Sequence, residues 1–288
     1  MIAVPAAIVG LSDNQRSGSL PAGPRKIEIA ESLINYPLPG EFLARGQPAA
    51  APIEKRAVPA FRITKQQVSL ADYNLCVAAG ACDAADATPS GEDVPVTGVS
   101  FLDAQAYIRW YSRATGEAWR LPTALEAAAA AAERFASDSF SAAADDPANP
   151  AVRWLRRYRE EASVKRPADP KPKQRGHYGR NSLGVEDFGG NVWEWTSTCY
   201  TRTALGADGV VESITDNCGA HVLEGRHRAY ISNFVRDGKS GGCAVGTPPE
   251  NLGFRLVLDS DSMIARARIR LLDVLQFVIG NAARRNLS

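Results

Sequence analysis

The chain has 288 residues, 45% hydrophobic and 23% charged, the balance of a globular protein rather than a disordered or fibrous one. Its 33 Lys and Arg against 32 Asp and Glu leave a formal charge of +1, so nucleic acid, which needs a concentrated basic surface, is not an expected partner. No run approaches the ~20 consecutive apolar residues of a membrane-spanning helix.

Residues 1–26 read as a flexible lead-in. The opening MIAVPAAIVG is a short apolar run with no basic residue before it, either the remnant of a signal peptide or a loose N-terminus. From Ile27 to about Ile63, apolar runs broken by Pro and Gly (YPLPGEF, RAVPAFRI) predict short strands joined by turns. The period then changes. Ser69 can cap a helix whose apolar face carries Leu70, Tyr73 and Val77.

A second helix follows Ser100, with Asp103 three residues on as the acidic end of a capping box. Ala104, Tyr107, Ile108 and Tyr111 share one face, and Gly116 stops the helix. Thr123 caps the alanine-rich LEAAAAAAERF. Residues 137–177 are polar and proline-bearing and read as a surface insertion. The tail, residues 260–288, predicts a basic amphipathic helix from Met263, with Ile264, Leu271, Leu275 and Val278 on one side. That face suits its own domain or a protein partner better than a membrane, because nothing else marks a lipid anchor.

The cysteines point to a compartment. Cys76 and Cys82 are close enough to staple a helix end to the next loop, and Cys199 and Cys218 bracket a polar segment with no obvious means of ordering itself. A bridge closing a loop of that size contributes ~3 kcal/mol. Two disulfides, with Cys243 left over, imply a periplasmic or secreted protein. The alternative is five unrelated buried thiols, since connectivity does not follow from sequence.

The densest stretch is NSLGVEDFGGNVWEWTSTCY, from Asn181 to Tyr200. In a strand, Trp193 and Trp195 point to one face and Glu194 to the other. Asp187 lies across the Gly189-Gly190 turn, so the two carboxylates can converge with main-chain carbonyls on a hard cation such as calcium. The alternative is an acid paired with Arg180 or Arg255.

Four blocks in order, YPLPGEFLAR, PVTGVSFLDAQAYIRWYSRATGEAWRLPT, NSLGVEDFGGNVWEWTS and NLGFRLV, resemble the formylglycine-generating-enzyme (sulfatase-modifying factor) family. The resemblance covers roughly residues 27–259. It implies a single, irregular α+β domain related to C-type lectin-like folds. It also implies a structural calcium held by Asp187, Glu194 and the carbonyls of Gly190 and Val192. A second calcium site of the family has no counterpart, because residues 137–177 do not match it.

The enzymatic part of the pattern does not carry over. By the resemblance, active members oxidise a substrate cysteine with copper(I) held by two cysteines five residues apart, soft ligands for a soft ion. The corresponding positions fall near Asn233 and Gly238, which supply no thiolate, so copper is not expected. Iron-dependent relatives need an HxxxHxE motif, and His177, His221 and His227 are not so spaced. A further branch, periplasmic members of siderophore (pyoverdine) maturation, resembles the core without the copper pair. The groove-forming stretch leaves Arg226, Arg228, Arg236 and Asp237 as substrate contacts, with His227, Ser232 and Cys243 as catalytic candidates. His227 is either a general base or a structural residue, and Cys243 either a reactive or an inert thiol. The expected function is an exported accessory or maturation factor acting on a peptide-like substrate. The alternative is a non-catalytic binding subunit that uses the groove and residues 263–288 to engage a protein partner.

Overall fold

The computed structural model describes residues 23–86, 91, 93–137, 171–206, 208–238, 242–243 and 251–259, without the side chains of 242–243. The readings made for residues 1–22, for 138–170 of the insertion and for the terminal helix lie outside the described residues.

The first half runs β1 (Lys26–Ile29), β2 (Ser32–Pro37), β3 (Glu41–Ala44), β4 (Gln47–Ala49), β5 (Ile53–Val58), β6 (Phe61–Thr64), α1 (Leu70–Ala78), α2 (Phe101–Thr115), β7 (Trp119–Arg120) and α3 (Ala124–Ala131). The second half is all strand: β8 (Trp193–Leu205), β9 (Val211–Glu224), β10 (Ala229–Ser232), β11 (Gly242–Cys243), β12 (Leu252–Gly253) and β13 (Val257–Leu258). These form three sheets, ordered β1-β6-β13-β7, β11-β10-β9-β8-β3-β4 with β12 beside β8, and β2-β5. The architecture is the irregular α+β expected.

Each helix ends where its sequence says. Ser69 and Ser100 accept from the backbone N–H three residues on, and Thr123 with Glu126 completes a second capping box beside that of Ser100 and Asp103. Gly116 takes the left-handed conformation at the C-cap of α2, with φ 68°. Tyr107 and Tyr111 stack at 5.5 Å and join Tyr73, Trp119, Trp193, Trp195 and Phe254 in an aromatic core. A second core places the alanines of α3 against Ile29, Val58, Phe61, Ile63, Phe188 and Val257. Alanine suits this position because α3 packs against β2, β5, β8 and β9 at once, and a larger side chain would separate the layers.

Both expected disulfides are formed, Cys76–Cys82 and Cys199–Cys218. The first ends α1 and fixes the loop after it. Arg236 clamps that loop to α2: it donates to both Asp103 oxygens, at 2.7 and 2.6 Å, and to Asp86 at 2.8 Å. Asp103 therefore does two jobs, capping α2 and holding Arg236. Replacing Ser100 with Ala removes a cap alone and is expected to cost ~1 kcal/mol. Asp103→Ala also removes two bonds from the half-buried Arg236, which keeps Asp86, so its cost should be on the order of 2 kcal/mol. Urea unfolding of the two variants checks the ratio.

Candidate functional site

The Asn181–Tyr200 stretch docks onto the end of α3 before it becomes β8. The Asn181 amide donates to the carbonyls of Ala130 and Ala131, which the helix leaves unpaired, at 2.7 and 3.1 Å. Its oxygen accepts from Leu183 and Val185, which shapes the turn. Asp187 then takes a left-handed backbone, φ 58°, a conformation that Asp tolerates better than most residues. At Gly190 a Cβ would lie 2.6 Å from the Tyr178 ring, so close packing alone requires glycine there.

The tryptophans anchor β8 as expected. Trp193 is 4% exposed and Trp195 fully buried, and their indole N–H groups donate to the carbonyls of His227 and Val99 at 3.0 and 2.9 Å. Glu194 points the other way, into the protein. There it meets Arg255, which donates to both of its oxygens, and Gln67, which donates at 2.8 Å. The Asp187 carboxylate accepts instead from the backbone N–H groups of Gly176 and Tyr178. Each of the four carboxylate oxygens thus already has an N–H donor, and a guanidinium stands at the Glu194 carboxylate. This donor set does not fit a calcium cage, which needs free oxygens turned toward one centre. The pairing with Arg255 is the alternative that the sequence left open.

The groove candidates are scattered. Arg226 is exposed, its guanidinium 5.9 Å from the centre of the Trp193 ring. His227 is 3% exposed, shares Nδ1 with the Arg228 carbonyl at 2.9 Å and lies edge-on to Trp193. Arg228 turns inward to Glu224, at 2.8 Å, and lies over the rings of Tyr36 and Phe135. Ser232 pairs with Ala220 in the sheet, Asp237 is exposed, and Arg236 serves the α2 clamp. Cys243 sits on β11 opposite Tyr230, and its side chain lies outside the described residues. No two catalytic candidates are brought to a shared point among the described residues.

What is brought together lies on the Asn233 side of this region. His221, 5% exposed, stacks on Phe101 with ring centres 3.7 Å apart. Its Nδ1 is 2.6 Å from Asn233 Oδ1, and its Nε2 is 3.9 Å from the Cys199 sulfur. Burial pushes this imidazole below its usual pKa, against the opposing Asn233 bond. No residue spacing signals this group. It arises from a bulge: β8 and β9 pair Cys199 with His221 and then Tyr200 with Asn217.

Residues 20–260 match the Sulfatase-modifying factor enzyme 1-like domain. The chain belongs to this family. The formylglycine-generating enzyme of Streptomyces coelicolor is 31% identical over 183 residues, which are 58% of this chain and 53% of that protein. The chain thus spans about half the length of that curated relative. Among solved structures, PvdO from Pseudomonas aeruginosa superposes with a TM-score of 0.51 at 17% identity, covering 82% of this chain and 94% of PvdO. CarF gives a TM-score of 0.46 at 18% identity, over 83% and 99%. At such identities the PvdO likeness shows the fold alone. No helix among the described residues is long and apolar enough to cross a membrane.

Two buried ion pairs can be tested. Arg255→Met should cost ~3–5 kcal/mol by leaving Glu194 uncompensated. The double variant Arg255→Met/Glu194→Leu should cost clearly less than the sum of the singles in a double-mutant cycle. Burial pushes Glu224 up to about 7 despite Arg228. Its folded pKa is therefore above its unfolded one, so its contribution to stability is full below about 4.5 and is lost as pH rises through about 7. Relative to Glu224→Gln, the wild type should lose stability between pH 5 and 7.5, read by urea unfolding at each pH.

Proposed function

We propose that this protein is an exported accessory or maturation factor that uses the family scaffold without the family's copper chemistry. The observation that carries the reading is Asn233. It stands near one of the two positions where the resemblance implies a copper thiolate, and its side chain is engaged on both sides. Its oxygen is 2.6 Å from His221, and its amide nitrogen donates to the Cys218 carbonyl at 2.8 Å. An amide held in this way is neither a soft ligand nor free to move aside for one. Gly238, near the other position, has no side chain.

Export is supported by two disulfides, which persist in an oxidising compartment. A peptide-like substrate is supported by kinship with an enzyme named for generating formylglycine, a modified residue. On this reading the buried Arg255 guanidinium supplies the positive charge beside Glu194 that calcium would otherwise supply. The protein then needs no bound metal to fold.

Two measurements test the proposal. Under anaerobic competition with a copper(I) chelator, the protein should take up no stoichiometric copper, and it should convert no cysteine of a sulfatase-derived peptide to formylglycine. One tightly bound copper(I) per chain would overturn the reading. Addition of EDTA should leave the melting temperature within 1 °C of that in millimolar calcium, and a large calcium-dependent rise would restore the cation site.

A further inference from the structure

We propose that Cys199–Cys218 is a redox-active disulfide, with His221 as its acid–base catalyst and Asn233 as the residue that positions His221. The inference is independent of the proposed accessory role and concerns a different reaction, thiol–disulfide exchange with a cysteine thiol.

The proton positions follow from the hydrogen bonds. The Asn233 amide nitrogen donates to the Cys218 carbonyl, which turns its oxygen toward His221 Nδ1. An oxygen there can only accept, so Nδ1 carries the ring proton and Nε2 presents a lone pair. That lone pair faces the Cys199 sulfur at 3.9 Å. The ring cannot turn away, because Phe101 stacks against it at 3.7 Å and Phe101 is itself edge-on to Trp195. A base beside a sulfur, oriented by a third group, is the arrangement that activates a thiol.

Access is on the Cys218 side. Cys218 is exposed and Cys199 half-buried, so an entering thiolate meets the Cys218 sulfur first. Attack there forms a new S–S bond to Cys218 and breaks the bond to Cys199, whose sulfur leaves with the electron pair. The proton given up by the entering thiol returns to Cys199 through His221 Nε2. A second thiol then displaces Cys218, so two thiols become one disulfide and the protein becomes a dithiol. In reverse, Nε2 takes the Cys199 proton so that the thiolate can close the bridge. Two apolar side chains beside Asn233 are exposed: Phe234 at 75%, and Leu102, whose N–H donates to the Asn233 carbonyl at 3.4 Å, at 56%. A peptide cysteine with apolar neighbours suits these side chains better than a small hydrophilic thiol.

The test is the rate at which the oxidised full-length protein reacts with N-acetylcysteine or a cysteine peptide, quenched by alkylation and read by mass spectrometry at each bridge. Cys76 is fully buried and Cys82 half-buried, so Cys76–Cys82 serves as the internal reference for exchange that does not use His221. His221→Phe should slow exchange at Cys199–Cys218 at least tenfold, and Asn233→Ala several-fold, with Cys76–Cys82 unchanged. The ¹⁵N shifts of the His221 ring should place the proton on Nδ1 in the wild type and lose that preference in Asn233→Ala. If His221→Phe does not fold, Asn233→Ala and the ring shifts decide. Wild-type-like rates in the folded variants, or an Nε2-protonated ring in the wild type, would overturn the proposal.

Discussion

Arg255 is fully buried, and everything it touches is distant in sequence. It binds both oxygens of Glu194 on β8, the carbonyls of Thr64 and Lys65 at the end of β6, and the Glu186 carbonyl in the turn before β8. Its guanidinium also lies 5.1 Å from the Phe188 ring centre. One cation thus joins the two larger sheets and the irregular segment between them. A charge so deep is tolerable only because its donors are matched by a carboxylate and three carbonyls. Gln67 takes up the remaining demand of Glu194 and bonds the Asp187 carbonyl as well, which links the strained turn to the same network.

That network also explains why the two tryptophans matter. Alternation along β8 fixes Trp193 and Trp195 in the aromatic core, and this forces Glu194 to the face where Arg255 waits. The indole N–H bonds to Val99 and His227 set the depth of the strand. Sliding β8 by one residue would put an indole against the guanidinium and the carboxylate into the aromatic core, so the register has one answer.

Local features were legible in the sequence. The Ser100–Asp103 capping box, the Thr123 cap, the Gly116 stop, the buried face of α2 and the two disulfides each depend on residues a few positions apart or on a compact spacing. The surroundings of the two acids were only half legible. Asp187 and Glu194 do flank one turn, but which donors reach them depends on Gly176, Tyr178, Gln67 and Arg255, placed by long-range topology. The parallel pairing of β3 with β8, which joins Glu41 to Arg202, has no local signature at all. Nor has the His221 group: a lone histidine late in a largely exposed strand gives no sign that a bulge will set it against a disulfide.

The position of Asn233 connects the fold to its chemistry. On the proposed reading, a thiolate there and a second near Gly238 would hold a soft metal that can move single electrons and activate oxygen. On that reading, the asparagine serves a different class of reaction. Its two hydrogen bonds join the Cys218 backbone to the His221 ring, so whatever moves the bridge moves the base with it. Thiol–disulfide exchange transfers electrons in pairs between sulfurs and needs a well-placed proton carrier rather than a metal. The bulge between β8 and β9 supplies that placement, and the aromatic stack of His221, Phe101 and Trp195 ties it to the tryptophan anchors of the family core. The scaffold that the buried Arg255 pair holds together is therefore the same one that fixes the imidazole beside the sulfur. A loosened β8 would disturb both.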